Sequence, residues 1–163
     1  MEIEDFDSHG EYGTEPNTDV TRQQIQFSIT RYLAQREHGF NEIIRKLTQK
    51  GYPQDLCADV LDKFREADLQ SDYRFAEQLV QRRLSKGYGE NYILAEGQNK
   101  GVDSDVLMRV MEAMDIDWRE QTRMAAEAKF GASSPKDFKE KMKRCQFLQN
   151  RGFDYSDITS IYP

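Results

Sequence analysis

Three copies of one short pattern constrain this chain more than any other feature. Lys50-Gly51-Tyr52, Lys100-Gly101-Val102 and Arg151-Gly152-Phe153 each join a basic residue, a glycine and an apolar residue, and their glycines lie 50 and 51 residues apart. A glycine just past a helix accepts the left-handed backbone that closes the last turn, and a cation there faces the negative end of the helix dipole. Each triplet therefore ends one helix and opens the next. Counting back eight, seven and four residues from the glycines gives Ile43, Ile44 and Leu47, then Ile93, Leu94 and Gly97, then Arg144, Cys145 and Leu148. The match is imperfect but directional, and the chain reads as a threefold repeat.

Start and stop signals divide the repeats into nine helices. The spacing predicts a first helix from near Asp19 to about Arg36, with Ile25, Ile29, Tyr32 and Leu33 on one face, and a second over about 40–50. Pro53 suits the first turn of a third helix, which ends near Asp68. Ser71 caps a fourth, whose stripe is Phe75, Ala76, Leu79, Val80 and Leu84 and which Gly87 ends. The fifth covers about 90–100 and the sixth about 104–114. Asp115 or Asp117 starts the seventh, which carries Trp118, Ala125 and Phe130 and stops at Gly131. Ser134-Pro135-Lys136-Asp137 combines a cap, a first-turn proline and an acid at the third helical position, and so opens an eighth helix to about Asn150; a short ninth follows Gly152. Almost no run joins β-branched residues to strict alternation, which disfavours strands. The expected fold is all-α: a tail over 1–18 and three-helix repeats over 19–70, 71–115 and 116–163. Each repeat has too little apolar surface to hold alone, so stacking must supply the rest. With 37% of residues apolar and 32% charged, the ratio of surface to core is high, as in an elongated array.

The same composition narrows the function. No apolar run approaches the roughly 20 residues of a membrane helix, and Met1-Glu2-Ile3-Glu4-Asp5 has the wrong charge for a signal peptide, so the chain is expected to stay in the cytoplasm. Cys57 and Cys145 form no C-x-x-C pair and have no His at ligand spacing, which leaves both as buried apolar residues and predicts no metal. His9, in a polar stretch, and His38, before a glycine, read as surface residues without a catalytic partner. No phosphate loop, nucleophile motif or metal cluster appears, so neither an enzyme nor a cofactor is expected. Residues 1–20 hold seven of the 29 acids and none of the 23 Lys and Arg, which leaves a near-neutral body of 22 acids against 23 bases. That acidic stretch reads as a disordered solubilising tail or as a segment that docks on a basic protein surface.

Arg36-Glu37-His38-Gly39 with Ile43, Ile44, Lys46 and Leu47 resembles the R-E/D-H-S-x-x-E-L-x-x-K-L segment of the RecX family of bacterial recombination regulators. Asp72-Tyr73-Arg74-Phe75-Ala76 is similar to that family's D-D-x-R-F-A, and Arg83 with Lys86-Gly87-Tyr88-Gly89 to its R-x-x-K-G-x-G. Lys100-Gly101-Val102, Asp117-Trp118 and Phe147-Leu148-x-x-Arg151-Gly152-Phe153 continue the resemblance, which spans about residues 25 to 162. One departure stands in the fifth helix, where Gly97 replaces an expected leucine; the helix is loosely held unless Leu94 or Tyr92 fills the gap. The resemblance implies a curved rod of three-helix repeats that binds along the groove of the RecA filament on single-stranded DNA and restrains it. ATP hydrolysis, strand exchange and filament-dependent repressor cleavage would fall, with no catalytic centre in the rod itself. It would act as a monomer, since no coiled-coil seam stands out.

Candidate contact residues are Arg82, Arg83, Lys86, Tyr88, Lys139 and Lys143. At 100° per residue, Arg82, Arg83 and Lys86 prolong the Phe75–Leu79 stripe of the fourth helix. Their heads meet a partner or its DNA, or else reach water, the helix carbonyls or an internal acid while the stems cover the core edge. Tyr88 and Tyr92 flank the central glycine loop. Lys136, Lys139, Lys141, Lys143, Arg144 and Arg151 form a second basic region, either a solvated face or a phosphate contact. Trp118 and Phe130 read as core residues ahead of base-stacking platforms. The rival function is a direct nucleic-acid binder with helix-turn-helix-like units, against which the near-neutral body argues.

Overall fold

The computed structural model describes residues 17–163, which contain nine helices and no strand. The acidic stretch up to Pro16, with His9, lies outside the described residues. The first unit is α1 (Thr18–Gln35), α2 (Phe40–Gln49) and α3 (Gln54–Glu66). The second is α4 (Asp72–Ser85), α5 (Glu90–Asn99) and α6 (Ser104–Ala113), and the third is α7 (Trp118–Phe130), α8 (Phe138–Asn150) and α9 (Tyr155–Ile161). The helix starts follow local chemistry. Ser71 accepts from the Arg74 amide at 3.2 Å, and Asp117, not Asp115, accepts from the Glu120 amide at 3.0 Å. The start of α8 departs from the sequence reading. Asp137 caps it through the Glu140 amide at 2.8 Å, while the Glu140 carboxylate reaches back to the Lys136 amide at 3.0 Å. This reciprocal pair is a stronger start than Ser134, so residues 134–136 stay in the loop.

Each unit closes its own core. Ile25, Ile29, Ile43, Leu47, Cys57, Val60 and Leu61 fill the first. Phe75, Leu79, Ile93, Leu107 and Val110 dominate the second, and Leu148, Phe153 and Ile158 anchor the third. Trp118 packs against both the second and third cores and joins them. Cys145 is only half-buried, packed at the edge of the third core, unlike the buried Cys57.

The gap opposite Gly97 is filled from an unexpected side. A methyl group on Gly97 would lie 2.5 Å from Leu107 of α6, so Leu107 occupies the space, and neither Leu94 nor Tyr92 does. Register explains the exchange. Gly97 stands four residues before its triplet glycine, where the first unit has Leu47; Leu107 stands six after, where the first unit has Cys57. Large-then-small in one unit becomes small-then-large in the next, which keeps the filled volume near constant.

The units stack by one rule used twice: the start of the second helix docks on the triplet loop of the next unit. Asn41 donates from Nδ2 to the Gly101 carbonyl at 2.8 Å. Gly89 and Asn91, their counterparts in the second unit, donate main-chain N–H to Arg151 and Gly152 carbonyls at 2.8 and 3.0 Å. Among the described residues no hydrogen bond or ion pair joins the first unit to the third, as expected of a tandem array.

His38 belongs to the first of these junctions and is buried, not on the surface. A carbonyl can only accept and an ammonium only donate, so the ring is neutral, with Nδ1–H toward the Arg36 carbonyl at 3.0 Å and Nε2 accepting from Lys46 Nζ at 3.1 Å. Burial pushes its pKa below the ordinary imidazole value of 6.5.

Candidate functional site

The second junction gathers the largest group of basic and aromatic side chains. Arg83, in the last turn of α4, makes a two-point bond to the Glu96 carboxylate of α5, with both N···O distances 2.5 Å. This pairing raises the pKa of a guanidinium that is already always charged, so the group is a fixed cation. Its plane faces Tyr88 at 5.5 Å and Tyr92 at 5.9 Å, and those two rings stack at 4.1 Å. Arg151 of the third unit closes the stack from the other side, 4.5 Å over Tyr88 and 5.2 Å over Phe147, and donates to the Lys86 carbonyl at 3.1 Å. Two cations and three aromatic rings thus rivet the second unit to the third.

A cleft of about 300 Å³ opens beside this rivet between α4, α7 and α8. Lys86, Met124, Lys129, Phe147 and Arg151 line it, with an apolar floor and a basic rim. Arg82 and Lys86 are exposed at the end of α4. The sequence candidates therefore divide. Arg83 and Tyr88 are held by other side chains of the protein, whereas the heads of Arg82 and Lys86 make no ion pair or hydrogen bond among the described residues. Lys139 and Lys143 are exposed on α8 and separate from the cleft, since Lys143 precedes Arg151 by two helical turns, about 12 Å along the axis.

Two more residues of the basic region of the last unit, Arg144 and Lys141, are not part of a solvated face, whereas Lys136 is exposed. Arg144 is 3% exposed; it donates to the Ser133 carbonyl at 2.7 Å and to Glu140 at 2.6 Å, and lies over Phe130 and Tyr162. Lys141 donates to the Pro163 carbonyl. Both pin the 131–137 loop and the end of α9 to α8. Sequence reasoning passed over Glu96, Phe147 and Met124. The signal for Glu96 was present in its position on the inner edge of α5, facing the basic end of α4; nothing local marked the other two.

No group of three or more His, Cys, Asp or Glu side chains among the described residues could hold a metal ion, and no helix among them is long and apolar enough to cross a membrane. The geometry is that of a basic and aromatic junction with a cleft beside it, made by stacked units, and comparison with known proteins gives the stack a lineage. Family models for the first, second and third three-helix domains of RecX match residues 30–64, 71–111 and 116–161. This chain belongs to the RecX family. The regulatory protein RecX of Chromohalobacter salexigens is 39% identical over 130 residues, covering 78% of this chain and 84% of that protein. That of Halorhodospira halophila is 36% identical over 136 residues, covering 83% and 84%. The crystal structure of RecX from Lactobacillus salivarius superposes with a TM-score of 0.75 at 20% identity, covering 88% of this chain and 96% of that one, so the stack of three-helix units is a shared fold. RecX proteins of this kind are named as regulatory proteins.

Proposed function

We propose that this chain is a negative regulator of the RecA recombinase. It lies in the groove of the RecA filament on single-stranded DNA and lowers ATP hydrolysis, strand exchange and filament-dependent repressor cleavage. The observation that carries the reading is the stacking: three separately cored units joined by one repeated contact present a surface that recurs, as a filament groove recurs from subunit to subunit. Weak contacts on successive units add through effective concentration. The rod inhibits by binding one arrangement of adjacent subunits better than another, since only differential affinity shifts an equilibrium. Lys86 at the cleft and Arg82 one turn before it on α4, with Lys139 and Lys143 on α8, touch the filament. Arg83 and Tyr88 belong to the same binding surface but act mainly by holding the second and third units in register. The protein works in the cytoplasm, as a monomer and without a cofactor.

The test is co-sedimentation with RecA filaments on single-stranded DNA, with ATP hydrolysis followed as the protein is added. Retention with the filament and falling hydrolysis are expected, and R82A/K86A should keep its helical content while losing potency five-fold or more. Retention on naked DNA without any effect on filaments would instead assign a direct nucleic-acid binder using its helix-turn-helix-like units.

A further inference from the structure

The third unit leaves uncovered the face by which the first two dock. Counted from the triplet glycine, Glu140 and Met142 of α8 stand where the first unit has Gly39 and Asn41 and the second has Gly89 and Asn91. Gly39 faces Phe75 and Asp72 of the next unit, Asn41 bonds the Gly101 carbonyl, and Gly89 and Asn91 bond the Arg151 and Gly152 carbonyls, whereas among the described residues Glu140 and Met142 meet no further unit. Its outer face carries Phe138, 74% exposed, and Met142, 49% exposed, beside Lys139 and Lys143. At 100° per residue the four fall within an arc of about 140°, so apolar groups and lysines form one stripe. Neither lysine joins an ion pair with the described residues, and Glu140, the neighbour of Lys139 in sequence, is engaged with Arg144. The stripe is therefore basic and apolar together. Its complement is a segment with acids and apolar groups interleaved.

The chain contains such a segment. Residues 1–16 hold Glu2, Glu4, Asp5, Asp7, Glu11 and Glu15, no Lys or Arg, and Ile3 and Phe6 set between the acids. We propose that residues 1–16 dock in cis on the outer face of α8, with Ile3 and Phe6 against Phe138 and Met142 and the flanking carboxylates on Lys139 and Lys143. Phe6 and Ile3 stand 11 and 14 residues before Asn17, an extended reach of about 36 and 46 Å, and a tethered segment works at roughly millimolar effective concentration. Both terms, charge pairing and apolar contact, are needed, because exposed ion pairs alone are worth little. A consequence, which rests on the filament reading above, is that the segment masks Lys139 and Lys143 and competes with the filament for them.

Zero-length carbodiimide cross-linking of the full chain, mapped by mass spectrometry on an equal mixture of ¹⁴N and ¹⁵N protein, tests this. Lys139 and Lys143 should link to Glu2, Glu4, Asp5 or Asp7 at least five times more than the exposed Lys50, Lys63 or Lys129 do, in isotopically pure pairs. F138S/M142S, which keeps both lysines and should keep its circular dichroism spectrum, should lower those links five-fold. Links spread evenly over exposed lysines, or mixed-isotope pairs at the statistical level, would overturn the proposal. So would a single-stranded oligonucleotide probe protecting α8 in a protein that shows no tail links. In the filament assay, E2Q/E4Q/D5N/D7N should inhibit at a three-fold lower concentration. Intact cross-links with unchanged potency would support the docking and remove Lys139 and Lys143 from the filament contact, so failure of the two readings can be told apart.

Discussion

The two junctions of the stack occupy the same place in the repeat and are built from different chemistry. The first is made by side chains. Asp72 accepts from the Phe40 amide at 2.8 Å and from Gln70 Nε2 at 3.0 Å, Gln70 also donates to the His38 carbonyl at 3.1 Å, and Arg74 bonds Glu37 at 2.8 Å. The second sets main-chain bonds beside its arginine and aromatic rivet, with Gly89 and Asn91 amides on the Arg151 and Gly152 carbonyls. Side-chain bonds hold their elements at arm's length and tolerate small backbone changes. Main-chain bonds bring the backbones into contact, and here they do so closely enough that a Cβ on Gly89 or Gly152 would lie 2.4 or 2.3 Å from a backbone nitrogen of the other unit. One docking register is thus reached with different sensitivities: the first junction responds to lost polar groups and to protonation, and the second most strongly to added bulk, since a Cβ on Gly101 would meet the Asn41 side chain where one on Gly152 would meet the Tyr92 backbone.

The largest effect expected from that contrast is at Gly152. A Cβ there would sit 2.3 Å from the Tyr92 nitrogen, and the backbone φ of +88° already disfavours any side chain. Gly152→Ala should cost about 3 kcal/mol or more, from overpacking against atoms that cannot move aside together with backbone strain. Urea unfolding followed by Trp118 fluorescence should report it early, because Trp118 spans the second and third cores. A loss under about 1 kcal/mol would mean the second junction is not in contact as drawn, and the comparison would fail.

Asp72→Ala is the matching break in the first junction. It leaves the Phe40 N–H and one Gln70 donor unpaired at a partly buried site, for an expected loss of about 2 kcal/mol in urea unfolding. Gly51→Ala sharpens both figures. Gly51 has the same backbone twist, φ +93°, but nothing within 4 Å of an added Cβ, so it measures strain without contact, about 1 kcal/mol. The excess of Gly152→Ala over Gly51→Ala is then the cost of forcing the second junction apart.

Local signals made the helices legible and left the junctions hidden. Ser71, Asp117 and the triplet glycines act on amides and carbonyls within four residues of themselves, so sequence spacing was enough to place them. The junction contacts join residues far apart: Gln70 to His38 across 32 positions, Arg151 to Lys86 across 65. Nothing near His38 announces that Gln70 will cover it, which is why it read as a surface residue. Arg144 misled for a related reason. Its charge marked it as solvated, but the loop over 131–137 and the end of α9 fold back to supply a carbonyl, a carboxylate and two rings. The Gly97–Leu107 exchange was hidden although both positions lie in register with the repeat, because a deficit in one helix is made good by a surplus in another. Of the site, the candidate residues of α4 were visible as a basic extension of an apolar stripe, but which of them are free and which are held depends on Glu96, Tyr92 and Arg151, all on other helices.

The smallest effect separates the junctions without a structural change. Neutral His38 sits in the first junction with Lys46 on one nitrogen and the Arg36 carbonyl on the other, and the second junction has no titrating group of this kind. Desolvation by burial is the main cause that lowers its pKa, aided by the charges of Arg36 and Lys46 and opposed by the bond to the Arg36 carbonyl and by Glu42. In the unfolded chain the ring titrates near the ordinary value of 6.5. Below that value the unfolded state takes up a proton that the folded state refuses, so the contribution of His38 is complete above it and is lost as pH falls toward the depressed folded value. Glu42 has a lowered pKa through its bond to Arg36, so its own stabilisation fades only below the ordinary 4.5, outside this window. Urea midpoints should therefore fall between pH 7 and pH 5.5 in the native protein and stay flatter in His38→Gln, while the difference between native protein and Gly152→Ala stays constant with pH. Equal slopes for the native protein and His38→Gln would show that the first junction does not depend on the neutral ring.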